Sequence, residues 1–116
     1  MAINYLTDET FDLFLQNASQ PVVVLFHAPW CEECNPIRQQ VAQLAAENGH
    51  LQFAEVDTEE AMEVAARFDI RGIPTLLVFE RGRMVDRLYS REARFAQNVD
   101  EFIASLVESD TQTSAG

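Results

Sequence analysis

The chain contains no lysine, and its eight basic residues, all arginine, stand against 19 aspartates and glutamates among 116 residues. Its formal net charge at pH 7 is therefore -11. A field of this sign repels the phosphates of nucleic acids and the headgroups of anionic lipids. We therefore expect neither a nucleic acid nor a membrane surface as a partner. An acidic surface keeps a small protein soluble, and it can also select basic target proteins.

No apolar stretch approaches bilayer length, and the N-terminus lacks the basic start and long apolar segment of a secretory signal. These absences predict a cytoplasmic protein. With 116 residues, 47% of them apolar, the chain can build one hydrophobic core. We expect a monomer with a single domain at residues 1–108. A flexible polar tail should follow at residues 109–116, where no large apolar side chain occurs.

Cys31 and Cys34 are the only cysteines, too few for a disulfide scaffold. In a reducing compartment, a close pair of thiols is more often catalytic or metal-binding than structural. A closed zinc site needs four ligands, and the two histidines are poorly placed to complete one. His27 precedes the pair by four residues, and His50 follows the next predicted helix. We therefore predict redox chemistry without a metal, and we interpret His27 as a strand residue packed near the pair.

Apolar residues alternate between strand and helix periodicity along the chain. The unbroken apolar run at residues 22–26 is typical of a central parallel strand covered on both faces. Strands are predicted at residues 3–6, 22–26, 51–56, 75–79 and 84–89. Helices are predicted after Thr7, at residues 37–45, at residues 59–68, and along the apolar stripe at residues 95–107. The buried positions predicted for the helix at 59–68 are Met62, Ala65, Ala66 and Phe68. The pattern indicates an α/β fold with a mixed central sheet of about five strands and about four flanking helices.

Cys31 is predicted to be the nucleophile of the pair. It follows the central strand at the point where a helix should begin, so unpaired backbone N–H groups and the helix dipole favour its thiolate. The thiolate, and not the thiol, attacks disulfides. Cys34 lies one turn further along the chain, close enough to attack the mixed disulfide and release the product, and is therefore the predicted resolving thiol.

Glu32 and Glu33 are predicted to modulate this chemistry. A solvated carboxylate at roughly 6 to 8 Å destabilises a thiolate by about 0.5 to 1 kcal/mol, which opposes the helix effect. A less stable dithiolate favours the disulfide form, so we expect a good reductant and a poor oxidant. Pro36 leaves two geometries open. Either the helix begins at the cysteines and bends near Pro36, or Asn35 caps a helix whose first residue is Pro36.

These residues resemble the thioredoxin family over roughly residues 3–107. The matching segments are Leu6-Thr7-Asp8-Glu9-Thr10-Phe11, Phe26-His27-Ala28-Pro29-Trp30-Cys31, the second cysteine at Cys34, and Arg71-Gly72-Ile73-Pro74-Thr75-Leu76-Leu77-Val78-Phe79. A CxxC motif after a buried strand, followed about forty residues later by Ile-Pro-Thr, is a specific combination. The resemblance implies a thioredoxin fold.

The resemblance also implies the features of a substrate site. Pro74 should follow a cis peptide bond and pack against the cysteine pair, so that the backbone of Ile73 can pair with an extended substrate strand. Trp30, Ile73 and Pro74 would form an apolar docking patch. The implied partners are disulfide-containing protein substrates and an electron donor, either a thioredoxin reductase-like flavoprotein or a ferredoxin-linked system. No bound cofactor is needed.

Several residues depart from the family pattern. Glu32 and Glu33 replace its Gly-Pro, and Gln39 replaces its kinking proline. Leu25 stands where the family has a buried aspartate that receives a proton from the resolving thiol, and Glu55 stands where it has a lysine. We hypothesise that Glu55 lies partly buried behind Cys34, has a raised pKa from desolvation and acts as the base. Alternatively, Glu55 is a solvated charge at a strand edge and a water chain carries the proton.

Two functions are consistent with this sequence. The first is a cytosolic enzyme that reduces protein disulfides through Cys31 and Cys34, with a role in electron transport and redox homeostasis. The second is an adaptor or folding helper that binds client peptides beside Pro74, with the thiols as a redox sensor or an idle remnant. The second function stays open for two reasons: Leu25 replaces the buried aspartate of the family pattern, and the Glu32-Glu33 pair between the cysteines is unusual.

Overall fold

Five strands form one mixed sheet with helices on both of its faces. The computed structural model describes residues 3–115, with the side chains of residues 3–107. The strands are β1 (Asn4–Leu6), β2 (Val22–His27), β3 (Gln52–Asp57), β4 (Thr75–Glu80) and β5 (Arg83–Leu88). The helices are α1 (Phe11–Asn17), α2 (Cys34–Glu47), α3 (Met62–Arg67), α4 (Ser90–Ala93) and α5 (Ala96–Ala115).

The strand order across the sheet is β1-β3-β2-β4-β5. The first three of these strands run parallel to one another, whereas β4 is antiparallel to β2, and β5 is antiparallel to β4. This arrangement confirms the mixed five-stranded sheet predicted from the sequence. Strand β2 lies in the middle, and all six of its residues are buried. The loop after β2 therefore starts from the most firmly held strand of the fold.

Two apolar layers, one on each face of the sheet, explain why apolar and polar residues do not alternate along β2. Val24 and Phe26 point to the layer that includes Phe11 of α1 and Val64 of α3. The intervening residues point to the other layer, which contains α2 and α5. That layer includes Val23, Leu25, Ile37, Val41, Val99 and Ile103. A central strand covered on both faces needs apolar side chains at every position.

Helix α3 begins at Met62, later than the predicted start at Glu59. The preceding residues form a turn instead, because the carbonyl of Asp57 accepts hydrogen bonds from the N–H groups of Glu60 and Ala61 at 3.1 and 2.9 Å. The expectation that Met62 faces the core is wrong. Its side chain is 68% exposed, and Val64 is the buried residue of this helix.

Residues 3–115 contain five helices, where about four are predicted. The short helix α4 is the additional one, and Phe95 lies between α4 and α5 as an exposed side chain outside the apolar stripe. The predicted boundary between a domain at 1–108 and a tail at 109–116 lies beyond residue 107, the last one with a described side chain, so it stays a prediction. In the described part of the chain, no helix has the length and apolarity of a membrane span.

Asp8 stabilises the start of α3 from a distant part of the chain. Its Oδ1 accepts a hydrogen bond from the N–H of Val64 at 3.0 Å, and its Oδ2 lies 3.5 Å from the N–H of Glu63. The helix has no capping side chain of its own. Asp8 therefore satisfies backbone donors that would otherwise lack a partner.

We expect Asp8→Ala to lower the free energy of unfolding by about 1 kcal/mol, the usual loss for a removed helix cap. Urea denaturation followed by circular dichroism measures this change. The matched control is Glu9→Ala, because Glu9 is acidic, adjacent and exposed. Equal midpoints for the two variants would contradict the capping role of Asp8.

Candidate active site

Cys31 lies in the turn that connects β2 to α2, Cys34 is the first residue of α2, and the two form a disulfide. Their Cα atoms are 5.3 Å apart, within the usual range for bonded cysteines. The N–H of Cys31 donates to the carbonyl of Ala28 at 3.1 Å, and the N–H of Cys34 donates to the carbonyl of Cys31 at 3.2 Å. These two hydrogen bonds determine the spacing of the pair.

Helix α2 begins at Cys34. This start lies between the two that the sequence leaves open, one at the beginning of the cysteine pair and one at Pro36. Cys31 is in the turn before the helix, and Pro36 is the third helical residue. The N–H of Asn35 donates to the carbonyl of Glu32 at 3.2 Å, so that carbonyl needs no donor from Pro36. A proline is tolerated in the first helical turn because the N–H groups there have no intrahelical partner.

The cysteines differ in their access to solvent. Cys34 is 0% exposed, and Cys31 is 5% exposed, which is less than its predicted role suggests. The N–H groups of Glu32 and Glu33 have no hydrogen-bond partner among the described residues. Donors at this position, close to the start of α2, favour a negative charge on a neighbouring sulfur. In the oxidised protein, Cys31 is thus the more accessible sulfur of the pair.

The Ile73-Pro74 segment lies directly beside Cys31. Its peptide bond is cis, and the carbonyl oxygen of Ile73 is 3.9 Å from the Sγ of Cys31. Pro74 is buried, Ile73 is half-buried, and Trp30 is 66% exposed. Of the three residues predicted to form a docking patch, Trp30 and Ile73 therefore present surface. Pro74 contributes through the shape of the backbone.

Contacts from two strands hold this segment in place. The guanidinium of Arg87 on β5 donates to the carbonyls of Phe68 and Asp69 at 2.6 and 2.9 Å, just before the segment begins. The hydroxyl of Thr75 donates to the carbonyl of Gly72 at 2.6 Å. A side chain at Gly72 would overlap the hydroxyl of Ser90, so only glycine fits there without rearrangement. The sequence pattern of β5 does not distinguish Arg87 from a solvated side chain, so these contacts are not predictable from it.

Glu32 and Glu33 are exposed beside the cysteines. A guanidinium nitrogen of Arg94 lies 3.8 Å from Glu33 Oε2, and both side chains remain largely in solvent. An exposed pair at this distance interacts weakly. The two carboxylates therefore keep most of their negative potential at the reactive pair, and Arg94 offsets a part of it.

Glu55 faces the α2 side of the sheet. Its Oε1 lies 2.9 Å from His27 Nε2 and accepts a hydrogen bond from Arg38 Nε at 3.1 Å. The alternative of a strand-edge position is wrong, because β3 lies between β1 and β2 and the Glu55 side chain is only 16% exposed.

The expected rise in the pKa of Glu55 is also wrong. The contact with His27 is the largest influence on its pKa and lowers it, Arg38 lowers it further, and both outweigh the opposing effect of burial. Glu55 is therefore held in its ionised form, which is a poor state for accepting a proton at neutral pH.

His27 and Arg38 are the polar residues of this region that sequence analysis did not assign to the site. One signal could have found His27, since it is two residues after Leu25 in a strand and must share its face of the sheet. Arg38 follows Cys34 by one helical turn, so the two share a face of α2. Within the described residues, no three His, Cys, Asp or Glu side chains converge as metal ligands do.

Comparison with known proteins places this site in a family. A sequence model of the family described as Thioredoxin matches residues 2–105 of the chain. The chain belongs to the thioredoxin family. The site accordingly has the composition of a thiol–disulfide oxidoreductase, with a redox-active CxxC pair, as the sequence predicted. Membership of the thioredoxin family implies disulfide-containing substrates and a reductase partner in general terms.

Several thioredoxin-family relatives show the extent of the likeness. Thioredoxin 1 of Nostoc sp. is 38% identical over 82 residues, which are 70% of this chain and 77% of that protein. Thioredoxin of Pyropia yezoensis is 30% identical over 107 residues, covering 90% of this chain and 100% of that one. Glutaredoxin 3 of Danio rerio is 37% identical over 81 residues, which are 69% of this chain and only 25% of that protein.

Among solved structures, the oxidised form of mitochondrial thioredoxin 3 from Saccharomyces cerevisiae has a similar fold. The TM-score is 0.78 at 18% identity, with 89% of this chain and 94% of that chain covered. At this identity the likeness concerns the fold alone. It confirms the thioredoxin fold predicted from the sequence.

The lowered pKa of Glu55 predicts a specific effect of acid on stability. Because the folded state holds this carboxyl below its ordinary pKa of 4.5, its contribution is complete above that value and is lost as the pH falls through the lowered pKa. We expect Glu55→Gln to be less stable than the original protein at about pH 7, and we expect the difference to shrink at about pH 3.

Urea denaturation at both pH values measures this effect. Glu59→Gln is the matched control, because Glu59 is an exposed glutamate of the following turn. A stability difference for Glu55→Gln that stays constant or grows on acidification would show that the contacts of its carboxylate do not stabilise the fold.

Proposed function

We propose that this protein is a cytosolic, monomeric enzyme that reduces disulfides in other proteins. In this proposal, Cys31 is the attacking thiol, Cys34 is the resolving thiol, and a thioredoxin reductase-like flavoprotein or a ferredoxin-linked system supplies the electrons. The proposal rests above all on the disulfide between Cys31 and Cys34 beside the cis Ile73-Pro74 segment.

The different burial of the two cysteines supports their assigned order. A substrate disulfide can approach Cys31, which retains some exposure, but it cannot reach Cys34 directly. The Cys31 thiolate attacks a substrate sulfur and forms a mixed disulfide, and one substrate thiolate leaves. Cys34 then attacks the Cys31 sulfur, which restores the intramolecular disulfide and releases the second substrate thiolate. The cysteine pair loses the two electrons that the substrate gains.

The backbone of Ile73 supports a docking role for the adjacent segment. No other backbone group of the described residues takes up its N–H or its carbonyl, and β4 begins only at Thr75. An extended peptide could therefore pair with Ile73 while its disulfide faces Cys31. The exposed indole of Trp30 offers apolar contact next to the same sulfur.

We expect Cys31→Ser to lower the reduction of insulin by dithiothreitol to the uncatalysed rate, because the remaining thiol, Cys34, is buried and cannot reach the substrate. Cys34→Ser should also lose turnover but should retain targets on Cys31 as mixed disulfides, since the resolving thiol is missing. Turbidity of the precipitating insulin chains measures turnover. Non-reducing electrophoresis followed by mass spectrometry identifies the trapped proteins.

The same two variants distinguish the enzyme from an adaptor. Cys31→Ser that retains full insulin-reducing activity would overturn the assigned chemistry. An original protein without such activity, whose client binding is unchanged by Cys31→Ser, would indicate the adaptor or folding helper instead.

Glu32 and Glu33 support a reducing direction. Their charges destabilise the dithiol form relative to the disulfide, so we expect the double variant Glu32→Gln/Glu33→Gln to have a less negative reduction potential. At about 0.5 to 1 kcal/mol for each carboxylate, the shift should be about 20 to 40 mV, reduced somewhat by the contact of Glu33 with Arg94.

Equilibration with glutathione or dithiothreitol redox buffers measures the potential. Glu47→Gln is a suitable control, because Glu47 is an exposed acid at the far end of α2. A shift to a more negative potential in the double variant would contradict the assigned role of the two carboxylates.

A further inference from the structure

His27 is a buried imidazole, and neither of its ring nitrogens has a hydrogen-bond partner among the described residues. Its side chain is 4% exposed, and its Nε2 lies 2.9 Å from Glu55 Oε1. Its Nδ1 is buried and has no hydrogen-bond partner among the described residues. A buried polar atom without a partner is destabilising, and most such atoms in folded proteins are paired. The unpaired Nδ1 therefore needs an explanation other than stability.

The imidazole belongs to the same layer as the cysteine pair. His27 is the last residue of β2, and by strand alternation its side chain shares the face of Leu25, which packs against Ile37 of α2. The next residue, Ala28, belongs to the small buried cluster that contains Cys31 and Cys34. His27 therefore lies on the side of the sheet that α2 covers, one residue before the cluster that contains the resolving thiol.

The charged neighbours of His27 come from two elements. On β3 they are Glu55 and Asp57, which is its register partner and accepts the N–H of Glu59 at 2.8 Å. On α2 the charged neighbour is Arg38, which binds Glu55. On the other side of β2, the register with β4 ends at the pair of Phe26 and Thr75, which carry no titratable group.

Glu55 connects this buried region with solvent. It lies at the wall of an open cleft of about 490 Å³ beside α2. The cleft is lined by Ile3, Asn35, Arg38, Gln39, Ala42 and Glu55. The Glu55 carboxylate thus contacts the imidazole of His27, and the cleft beside this carboxylate is open to water. Protons can move along such a series of polar groups.

We propose that His27, oriented by Glu55, receives the proton of Cys34 when this thiol resolves the mixed disulfide. The inference rests on the proposed function and adds to it the route of the proton. The Cys34 proton passes to Nδ1, directly or through one water, and the Cys34 thiolate attacks Cys31 Sγ. The bond between Cys31 and the substrate sulfur breaks, and the substrate leaves as a thiolate. The imidazolium then returns its proton through the Glu55 cleft.

The chemistry of the two side chains favours histidine over glutamate as the acceptor. Histidine is the side chain that most often serves as a general base, whereas contacts with His27 and Arg38 lower the pKa of Glu55. Glu55 therefore acts as a positioning residue. Its carboxylate lies 2.9 Å from Nε2, which favours a proton on that nitrogen and leaves the lone pair of the ring on Nδ1.

The test follows the release of thionitrobenzoate after the reduced protein is mixed with one equivalent of dithiobis(nitrobenzoate). The first equivalent reports attack by Cys31, and the second reports resolution by Cys34. We expect His27→Gln to slow the second release at least roughly tenfold at about pH 7 and to leave the first within about twofold. The difference should close to within about threefold by about pH 9, because hydroxide can then remove the proton in place of the imidazole.

The pH profile separates proton transfer from a structural effect of the substitution. His50→Gln is the matched control, because the other histidine is exposed in the loop before β3. It should retain the original rate of both releases at every pH. A second release in His27→Gln that stays within about threefold of the original rate at about pH 7, with the same pH profile, would overturn the inference.

Glu55→Gln provides a second variant if His27→Gln does not fold. We expect it to slow the second release roughly three- to tenfold at about pH 7, because the imidazole loses its orientation. An unchanged rate from about pH 6 to about pH 9 would overturn the inference. If the original protein releases only one equivalent, the proposed cysteine roles fail. If the original protein releases two equivalents and neither variant changes the rate of the second release, only the proton route is excluded.

Discussion

The turn between β2 and α2 is the constraint on which the site depends. Hydrogen bonds to the carbonyls of Ala28 and Cys31 hold the cysteine Cα atoms 5.3 Å apart. At this separation the sulfurs can join or part with little backbone movement. The turn has a defined position because it directly follows β2, a strand buried on both faces. The packing of the two apolar layers against β2 therefore also positions the cysteine pair.

A polar cluster at the end of an apolar layer distinguishes this chain from the pattern that its sequence resembles. Leu25 is apolar, and the titratable groups lie around it: Glu55 is its register partner, His27 follows on the same face of the sheet, and Arg38 lies on α2. Burying such groups costs free energy of desolvation, which only good partners offset. The lowered pKa of Glu55 shows that its partners do so. The unpaired nitrogen of His27 is better explained by proton transfer than by stability.

Sequence patterns located the elements more accurately than their ends. The apolar run at residues 22–26 predicts β2 because a strand covered on both faces has a recognisable composition. The pattern at residues 59–68 predicts a helix that starts too early, with Met62 on the wrong side. The true start depends on a turn at Asp57 and on a capping carboxylate from Asp8, and helical periodicity contains no information about either contact.

The sequence by itself determined the thiol pair, its spacing and the strand that carries it, because these features depend on residues close together in the chain. Only the tertiary structure decided what surrounds the sulfurs. The register of β2 with β3 pairs Glu55 with Leu25 and so makes it a diagonal neighbour of His27 on the same face of the sheet. The packing of α2 on that face brings Arg38 to the same carboxylate across 17 residues of chain. A pKa depends on distance and burial, and both arise only when separate elements pack together.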